Sequence, residues 1–168
     1  MTIQTARLRI RALTTADAPF ILGLLNDPAF LRFIGDRGVR TTADAAAYIE
    51  TGPIASHARH GFGLDAIEEL GTEEPIGICG LLRREELDAP DLGFALLPPF
   101  RGCGLAYEAA AAVLADASSR LAIRRVLAIV QSDNAASIAL LERLAFRFER
   151  LLRSVRADAD LRLYSRTS

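Results

Sequence analysis

The sequence predicts a single α/β (α+β) domain built on a mixed sheet with helices on both faces. Three observations carry that expectation. The second half alternates between helical and strand-like runs, with helix 104 to 118, strand 125 to 130, helix 134 to 144 and strands at 146 to 154 and 161 to 166. A strand-like run ending at Leu97 passes through glycines into the helical run at Gly104, so Gly104 falls at the carboxyl end of a strand, where open α/β sheets bind ligands. The chain has 168 residues, 51% hydrophobic and 24% charged, enough for one proper core, and no repeat, low-complexity tract or linker divides it. Residues 1–168 are therefore read as one domain.

Arg7 to Leu13 alternates apolar and basic residues and reads as the first strand. Thr14 or Thr15 can cap a helix running to about Asn26, with Phe20, Ile21, Leu24 and Leu25 on its inner side. Pro28 restarts a short helix through about Ile34, which Gly35 to Gly38 ends. A further helix starts near Thr42, is interrupted at Gly52-Pro53 and resumes to about Arg59. Two hairpin-like strands follow, Phe62 to Ile67 and Ile76 to Leu82, and then the run Asp91 to Leu97. The last two strands are joined by a polar turn, Arg156 to Asp160. Seven strands are expected in all.

Composition excludes several function classes. No apolar run approaches the ~18 to 20 residues that span a bilayer, and the N-terminus lacks a basic-then-apolar leader pattern, so the expected compartment is the cytoplasm, without membrane attachment. A net charge of -1 argues against general nucleic-acid affinity. All 20 cationic side chains are arginine, which reads as a coding bias. Cys79 lies in an apolar run and reads as a buried inert thiol. Cys103 sits within the glycine turn without a histidine near it in sequence, and the two histidines, His57 and His60, lie together in a polar helical segment read as an exposed face. Neither a Cys/His nucleophile pair nor a metal site is expected from that supply.

The glycine joint is the most informative segment. Residues 98 to 108 read Pro-Pro-Phe-Arg-Gly-Cys-Gly-Leu-Ala-Tyr-Glu. Glycines before a helix let successive N–H groups converge where the helix N-terminus adds partial positive charge, a setting that holds phosphate oxygens. A P-loop needs Gly-Lys-Ser/Thr, and the chain has no lysine. A dinucleotide fingerprint places its first glycine directly after the strand and a third at position 107, which is Tyr107 here. What remains is Arg-x-x-Gly-x-Ala (Arg101, Gly104, Ala106), alongside the alternative of a strand-to-helix turn with no ligand.

That hexamer resembles the pyrophosphate-binding motif of the GNAT superfamily of N-acetyltransferases. Residues 131 to 146, Gln-Ser-Asp-Asn-Ala-Ala-Ser-Ile-Ala-Leu-Leu-Glu-Arg-Leu-Ala-Phe, resemble the signature Asn-x-x-Ser-x-x-x-x-Glu-Lys-Leu-Gly-Phe of its RimJ/RimL-type branch, with Asn134, Ser137, Glu142, Leu144 and Phe146 in place. Thr5 to Arg11 and Asp91-Leu-Gly-Phe94 resemble two further segments of that branch. The resemblance implies a mostly antiparallel sheet with a splayed strand pair, here the strands ending near Leu97 and Val130, and acetyl-CoA as cosubstrate with no metal. Backbone groups of Phe94 to Leu97, Leu96 included, would pair with the pantetheine arm as a missing strand would. The N–H groups of Gly102, Cys103, Gly104, Leu105 and Ala106 would hold the pyrophosphate, with Arg101 adding charge-assisted donors.

The chemistry that the resemblance implies makes three demands. A protonated amine of pKa ~8 must lose a proton before attacking. The developing oxyanion needs an N–H, near Phe94 to Leu96, and the leaving thiolate needs a hydrogen bond. Asp91 is the candidate base, through water, because the branch carries an acidic residue there, usually the longer Glu; the alternative is a turn residue opening a strand after Pro90. Ser137 and Asn134 are candidates for the thiol and the pantetheine, with helix capping as the alternative. The tyrosine acid of many superfamily members is Leu141 here, and the usual glycine before Phe146 is Ala145. The expected acceptor is an amine on a peptide N-terminus or a small molecule, contacted by about Phe20 to Arg40 and Val155 to Asp160, and the protein a monomer or homodimer. Another acyl donor such as succinyl-CoA, or a catalytically inactive CoA-binding regulatory module, remain the alternatives.

Overall fold

The computed structural model describes residues 2–153 and 160–168. The turn expected at Arg156 to Asp160, and the acceptor contacts expected from Val155 onward, lie outside the described residues except for Asp160. Eight strands form one sheet in the order β1 (Thr2–Gln4), β2 (Leu8–Ala12), β3 (Leu64–Glu69), β4 (Pro75–Leu82), β5 (Asp91–Leu96), β6 (Arg125–Gln131), β8 (Asp160–Thr167), β7 (Arg147–Arg153). The additional strand is β1, which pairs antiparallel with β2. It was illegible because three largely exposed edge residues carry no alternation to read.

The helices cover both faces. On one, α1 (Ala18–Leu25), α2 (Pro28–Phe33) and α3 (Thr42–Ile49) bury Ile21, Leu24, Phe30 and Ile49 against Leu64, Ala66 and Ile78 of the sheet. Each such side chain contributes about 1.5–3 kcal/mol of transfer free energy. On the other, α5 (Leu105–Arg120) and α6 (Ala135–Arg143) lay Ala109, Ala110, Val113 and Leu141 against Ile67, Cys79, Leu92 and Val126. Small residues on α5 let its backbone sit close to the strands. The expected break at Gly52-Pro53 is realised as one π-helical turn, Glu50–Ile54, which joins α3 to α4 (Ala55–His60) without ending the helical path. Pro53 has no N–H to give, and the widened turn accommodates its ring.

Every strand pair is antiparallel except β5 with β6, and this exception positions the site. Those two strands meet at a single bridge, Asp91 opposite Leu127, where the Leu127 N–H donates to the Pro90 carbonyl at 2.8 Å. β6 is paired along its whole length with β8, and β5 with β4 from Asp91 to Leu96. The sheet therefore opens between β5 and β6 toward their carboxyl ends.

Candidate active site

The register of β5 decides which backbone groups face this opening. The Leu97 N–H donates to Ile76 of β4 at 2.8 Å and its carbonyl accepts from Phe100, so odd positions serve β4 and even positions serve the β6 side. Phe94 thus presents both its N–H and its carbonyl to the gap, and Leu96 presents its N–H. Leu97 was expected to join them and does not, because both of its backbone groups are engaged elsewhere and it packs with the α1 to α3 core.

At the end of the gap stands the N-terminus of α5. Gly102 (φ 74) and Gly104 (φ 78) are both left-handed, a conformation that costs other residues about 1–2 kcal/mol. The N–H groups of Gly102, Cys103, Gly104, Leu105 and Ala106 find no backbone acceptor among the described residues. A Cβ built on Gly102 would meet nothing within 4 Å, so the loop faces open space. Exposed convergent donors at a 16-residue helix fit an anion such as a pyrophosphate. The Cys103 side chain is exposed, with Sγ 3.5 Å from the Arg101 carbonyl.

Arg101 has a different setting from the expected free donor. Its Nη2 donates to Asp27 at 2.6 Å and its Nε to the Leu96 carbonyl at 3.0 Å. Burial pushes the Asp27 carboxyl up, but donation from Arg101 and from the N–H groups of Phe30 and Ala29 outweighs it and holds the group below its ordinary value. A second guanidinium, missed in the sequence, stands at the same loop. Arg7 donates to Glu108 (2.7 Å) and to the Cys103 carbonyl (2.9 Å), and its Nη2 would lie 3.4 Å from a Cβ on Gly104.

At the closed end of the gap, Asp91 is 2% exposed, so it is no surface turn residue. Arg84 Nε donates to both of its oxygens, at 3.0 and 3.1 Å. Burial pushes the Asp91 carboxyl above its ordinary value, with Arg84 pulling the other way without cancelling it. One cleft of about 1020 Å³ joins Asp91 to the glycine loop. Asn134 and Ser137 line it from α6, across from β5. The Asn134 Oδ1 accepts from the Ser137 N–H at 3.2 Å, so Asn134 is the helix cap and keeps its amide donors for the cleft. Leu141, at the tyrosine position, is 1% exposed. Ala145 has φ 66 and terminates α6 with Phe146 N–H donating to Leu141 and Ala145 N–H to Glu142, the Schellman pattern that favours glycine.

The cleft is also walled by Phe30, Phe33, Arg37, Tyr48, Arg59 and Arg84; Phe30, Phe33 and Arg37 fall within the acceptor segment expected at about Phe20 to Arg40, and Tyr48, Arg59 and Arg84 lie outside it. Among 20 arginines no spacing marks Arg37 or Arg84, and Tyr48 looks like an ordinary helix residue. His57, expected on an exposed face, pairs through Nε2 with Asp65 of β3 at 2.7 Å, because α4 packs back on the sheet. His60 stacks on Phe62 with ring centroids 5.7 Å apart. Cys79 is fully buried, its thiol pushed far up by burial. Among the described residues no group of three or more His, Cys, Asp or Glu could hold a metal ion, and no helix is long and apolar enough to cross a membrane.

Comparison with known proteins agrees with this geometry. The family described as "Acetyltransferase (GNAT) domain" matches residues 7–147. An uncharacterised N-acetyltransferase of Bacillus subtilis, YoaA, is 29% identical over 153 residues, 90% of this chain and 85% of that protein. The crystal structure of an acetyltransferase from Agrobacterium tumefaciens superposes with a TM-score of 0.84 at 26% identity, covering 100% of this chain and 95% of that one. RimL, a ribosomal-protein alpha-N-acetyltransferase solved in complex with coenzyme A, shares the fold with a TM-score of 0.86 at 22% identity, over 99% and 98% of the two chains.

Proposed function

The chain belongs to the GNAT acetyltransferase family, and from that premise we propose that it is a cytoplasmic, RimJ/RimL-type enzyme that moves the acetyl group of acetyl-CoA to a primary amine by direct attack in a ternary complex. The observation that carries this reading is the opening between β5 and β6 after one bridge, with a glycine loop at its mouth whose N–H groups have no backbone acceptor among the described residues, and a buried carboxylate at its base. A cleft of about 1020 Å³ is at the top of the range for one small-molecule ligand and has room for donor and acceptor together.

Acetyl-CoA, when bound, supplies an acetyl thioester. The chain's own residues bind it, orient it and move the amine's proton. The N–H groups of 102 to 106 hold the pyrophosphate, with Arg7 and Arg101 beside them. Phe94 N–H and carbonyl take up the pantetheine amides as a strand would. The Leu96 N–H, facing the gap, is a donor for developing negative charge on the acyl oxygen. Asp91 accepts the proton of the amine through water, its raised proton affinity bringing it nearer to the working pH than an ordinary aspartate. Ser137 and the Asn134 amide, on the facing helix, are donors to the thiol and to the pantetheine.

The test is binding followed by turnover. CoA at a hundredfold excess over its dissociation constant is expected to stabilise the fold by about 2.7 kcal/mol, with EDTA present or absent. Thiol release from acetyl-CoA should then depend on added peptide N-termini or small amines. Absence of a melting shift at millimolar CoA, or release that no amine accelerates, would overturn the reading; stabilisation without release would favour a regulatory CoA-binding module.

A further inference from the structure

From the acceptor end of the cleft we infer that the amine substrate carries a carboxylate a few bonds from its amino group, and that Arg37, with the Tyr48 hydroxyl and the outer face of Arg84, receives it. The inference rests on the acyl-transfer reading above and adds a substrate class to it. Among the described residues the cleft wall holds one carboxylate, Asp91, which is paired with Arg84. Arg37 and Arg59 line the same cleft without an ion pair to any described residue, and Arg83 gives Nη1 only to the Leu87 carbonyl. The cleft wall therefore carries net positive charge beside apolar side chains, a setting that concentrates anions.

Tyr48 ties the cluster together. Tyr48, Arg37 and Arg84 line the same cleft, and burial pushes the phenol up while the charges of the two guanidiniums act against that push. The hydroxyl makes no hydrogen bond with the described residues, and Tyr48 lines the cleft. Arg84 sets the spacing. Its Nε holds Asp91, and both Nη groups stay available on the far edge of the same planar guanidinium. An anion on that edge lies on the order of 5 Å from the oxygens that receive the amine's proton, given the size of a guanidinium fork. Amine and carboxylate must then be close in one molecule, as in a free amino acid or a peptide whose first residue is Asp or Glu. The phosphates of CoA do not account for this charge, since the glycine loop lies beyond Leu96, about 17 Å along β5 from Asp91 at ~3.3 Å per residue.

The experiment compares acceptors that differ only in charge: free glutamate with its α-amide and with glutamine, and a tetrapeptide beginning with Glu with the same peptide beginning with Gln, all at saturating acetyl-CoA. The carboxylate member of a pair should be favoured in kcat/KM by about tenfold to a hundredfold, the worth of one or two hydrogen bonds to a charged group. The free amino acid or the peptide should show it, identifying which source the enzyme uses. Arg37→Gln should bring the carboxylate acceptor down to the level of its amide, and Arg120→Gln, on the far end of α5, should leave the preference intact. Calorimetry of the same pairs on the CoA-loaded protein reads the discrimination without turnover. Amides turned over or bound as well as acids, or a preference indifferent to Arg37→Gln, would overturn the inference while leaving acetyl transfer standing. A carboxylate preference that appears only on the donor side, with succinyl-CoA displacing acetyl-CoA in an Arg37-dependent way, would also overturn it. Failure of acetyl-CoA to react with any amine, with charge discrimination preserved in the binding arm, would sink the catalytic reading alone.

Discussion

Asp91→Asn separates a proton acceptor from a buried structural carboxylate. Asn is nearly isosteric, and its amide oxygen can still accept from Arg84, but the negative charge is lost. Breaking a buried pair by removing one partner typically costs 3–5 kcal/mol. Here the Arg84 side chain keeps 33% of its surface and can rehydrate, and burial already penalises the Asp91 charge. A cost of about 1–3 kcal/mol is therefore expected, of the size of a lost hydrogen bond to a charged group. The kinetic loss should be separate from this and larger in consequence. Removing a general base costs about 10²- to 10⁴-fold, or ~2.7–5.5 kcal/mol of barrier at 1.36 kcal/mol per decade. The assay is initial-rate thiol release at a fixed amine, from pH 6 to 9, with melting temperature and the acetyl-CoA Michaelis constant as controls. In the wild type the acid limb should lie above the ordinary aspartate range, because burial raises the Asp91 carboxyl. In the variant the deficit should shrink about tenfold per pH unit until the amine, of pKa ~8, is itself deprotonated. A folded Asp91→Asn protein within a few-fold of wild-type rate at pH 7 would refute the assignment and leave Asp91 as the partner that orients Arg84.

Gly104→Ala places a Cβ on a left-handed residue, 3.4 Å from Arg7 Nη2, so a stability loss of about 1 kcal/mol and a raised Michaelis constant for acetyl-CoA are expected; unchanged donor kinetics would move the phosphate site elsewhere. Ala145→Gly removes the same backbone penalty at the end of α6 and should raise stability by about 1 kcal/mol in denaturant melts, without altering turnover. Asp27 is held below its ordinary proton affinity, so its pairing contributes stability above the unfolded carboxylate value of ~3.9 and loses it as pH falls through the lower folded value. The stability gap between wild type and Asp27→Asn should therefore be full at pH 6 and close as the pH falls through the lowered folded value; a gap independent of pH would refute the ionic role.

The readable parts of the sequence were those where one local rule acts alone. The glycines at 102 and 104 announced a turn before a helix, and the structure has both of them left-handed at the start of α5. Asn134 announced a cap, and it caps α6. Side-chain partners over long separations were illegible. Arg101 carried the motif position, but the fold brings it to Asp27, 74 residues away, and brings Arg7 to Glu108, 101 residues away. Nothing in local spacing reports such pairings. Leu97 failed for a finer reason: strand periodicity shows that residues alternate, but which parity faces the gap depends on the register against β4. Arg37, Tyr48 and Arg84 come from a loop, a helix and a second loop, and only their convergence on one cleft, where Arg84 alone touches Asp91, distinguishes them from surface residues.

That convergence gives Asp27 an importance beyond capping. Its carboxylate accepts from the first N–H groups of α2, the helix whose Phe30 and Phe33 line the cleft, and from Arg101, whose Nε holds the Leu96 carbonyl beside the glycine loop. One side chain therefore fixes the acceptor wall, the glycine loop and the last residue of β5 relative to each other. Acyl transfer requires this alignment, since a displacement on the order of 1 Å at the reacting atoms costs about a hundredfold. Arg101 was expected as a ligand for phosphate. Its geometry suits a different role, in which two of its donors stay within the protein and hold the loop whose N–H groups are proposed to bind the phosphate. Substitution at Arg101 should accordingly weaken acetyl-CoA binding and also disturb acceptor kinetics, whereas substitution of a pure phosphate ligand would weaken the donor alone. A rise confined to the Michaelis constant for acetyl-CoA in Arg101→Ala, with acceptor parameters at wild-type values, would show that the coupling through Asp27 does not operate.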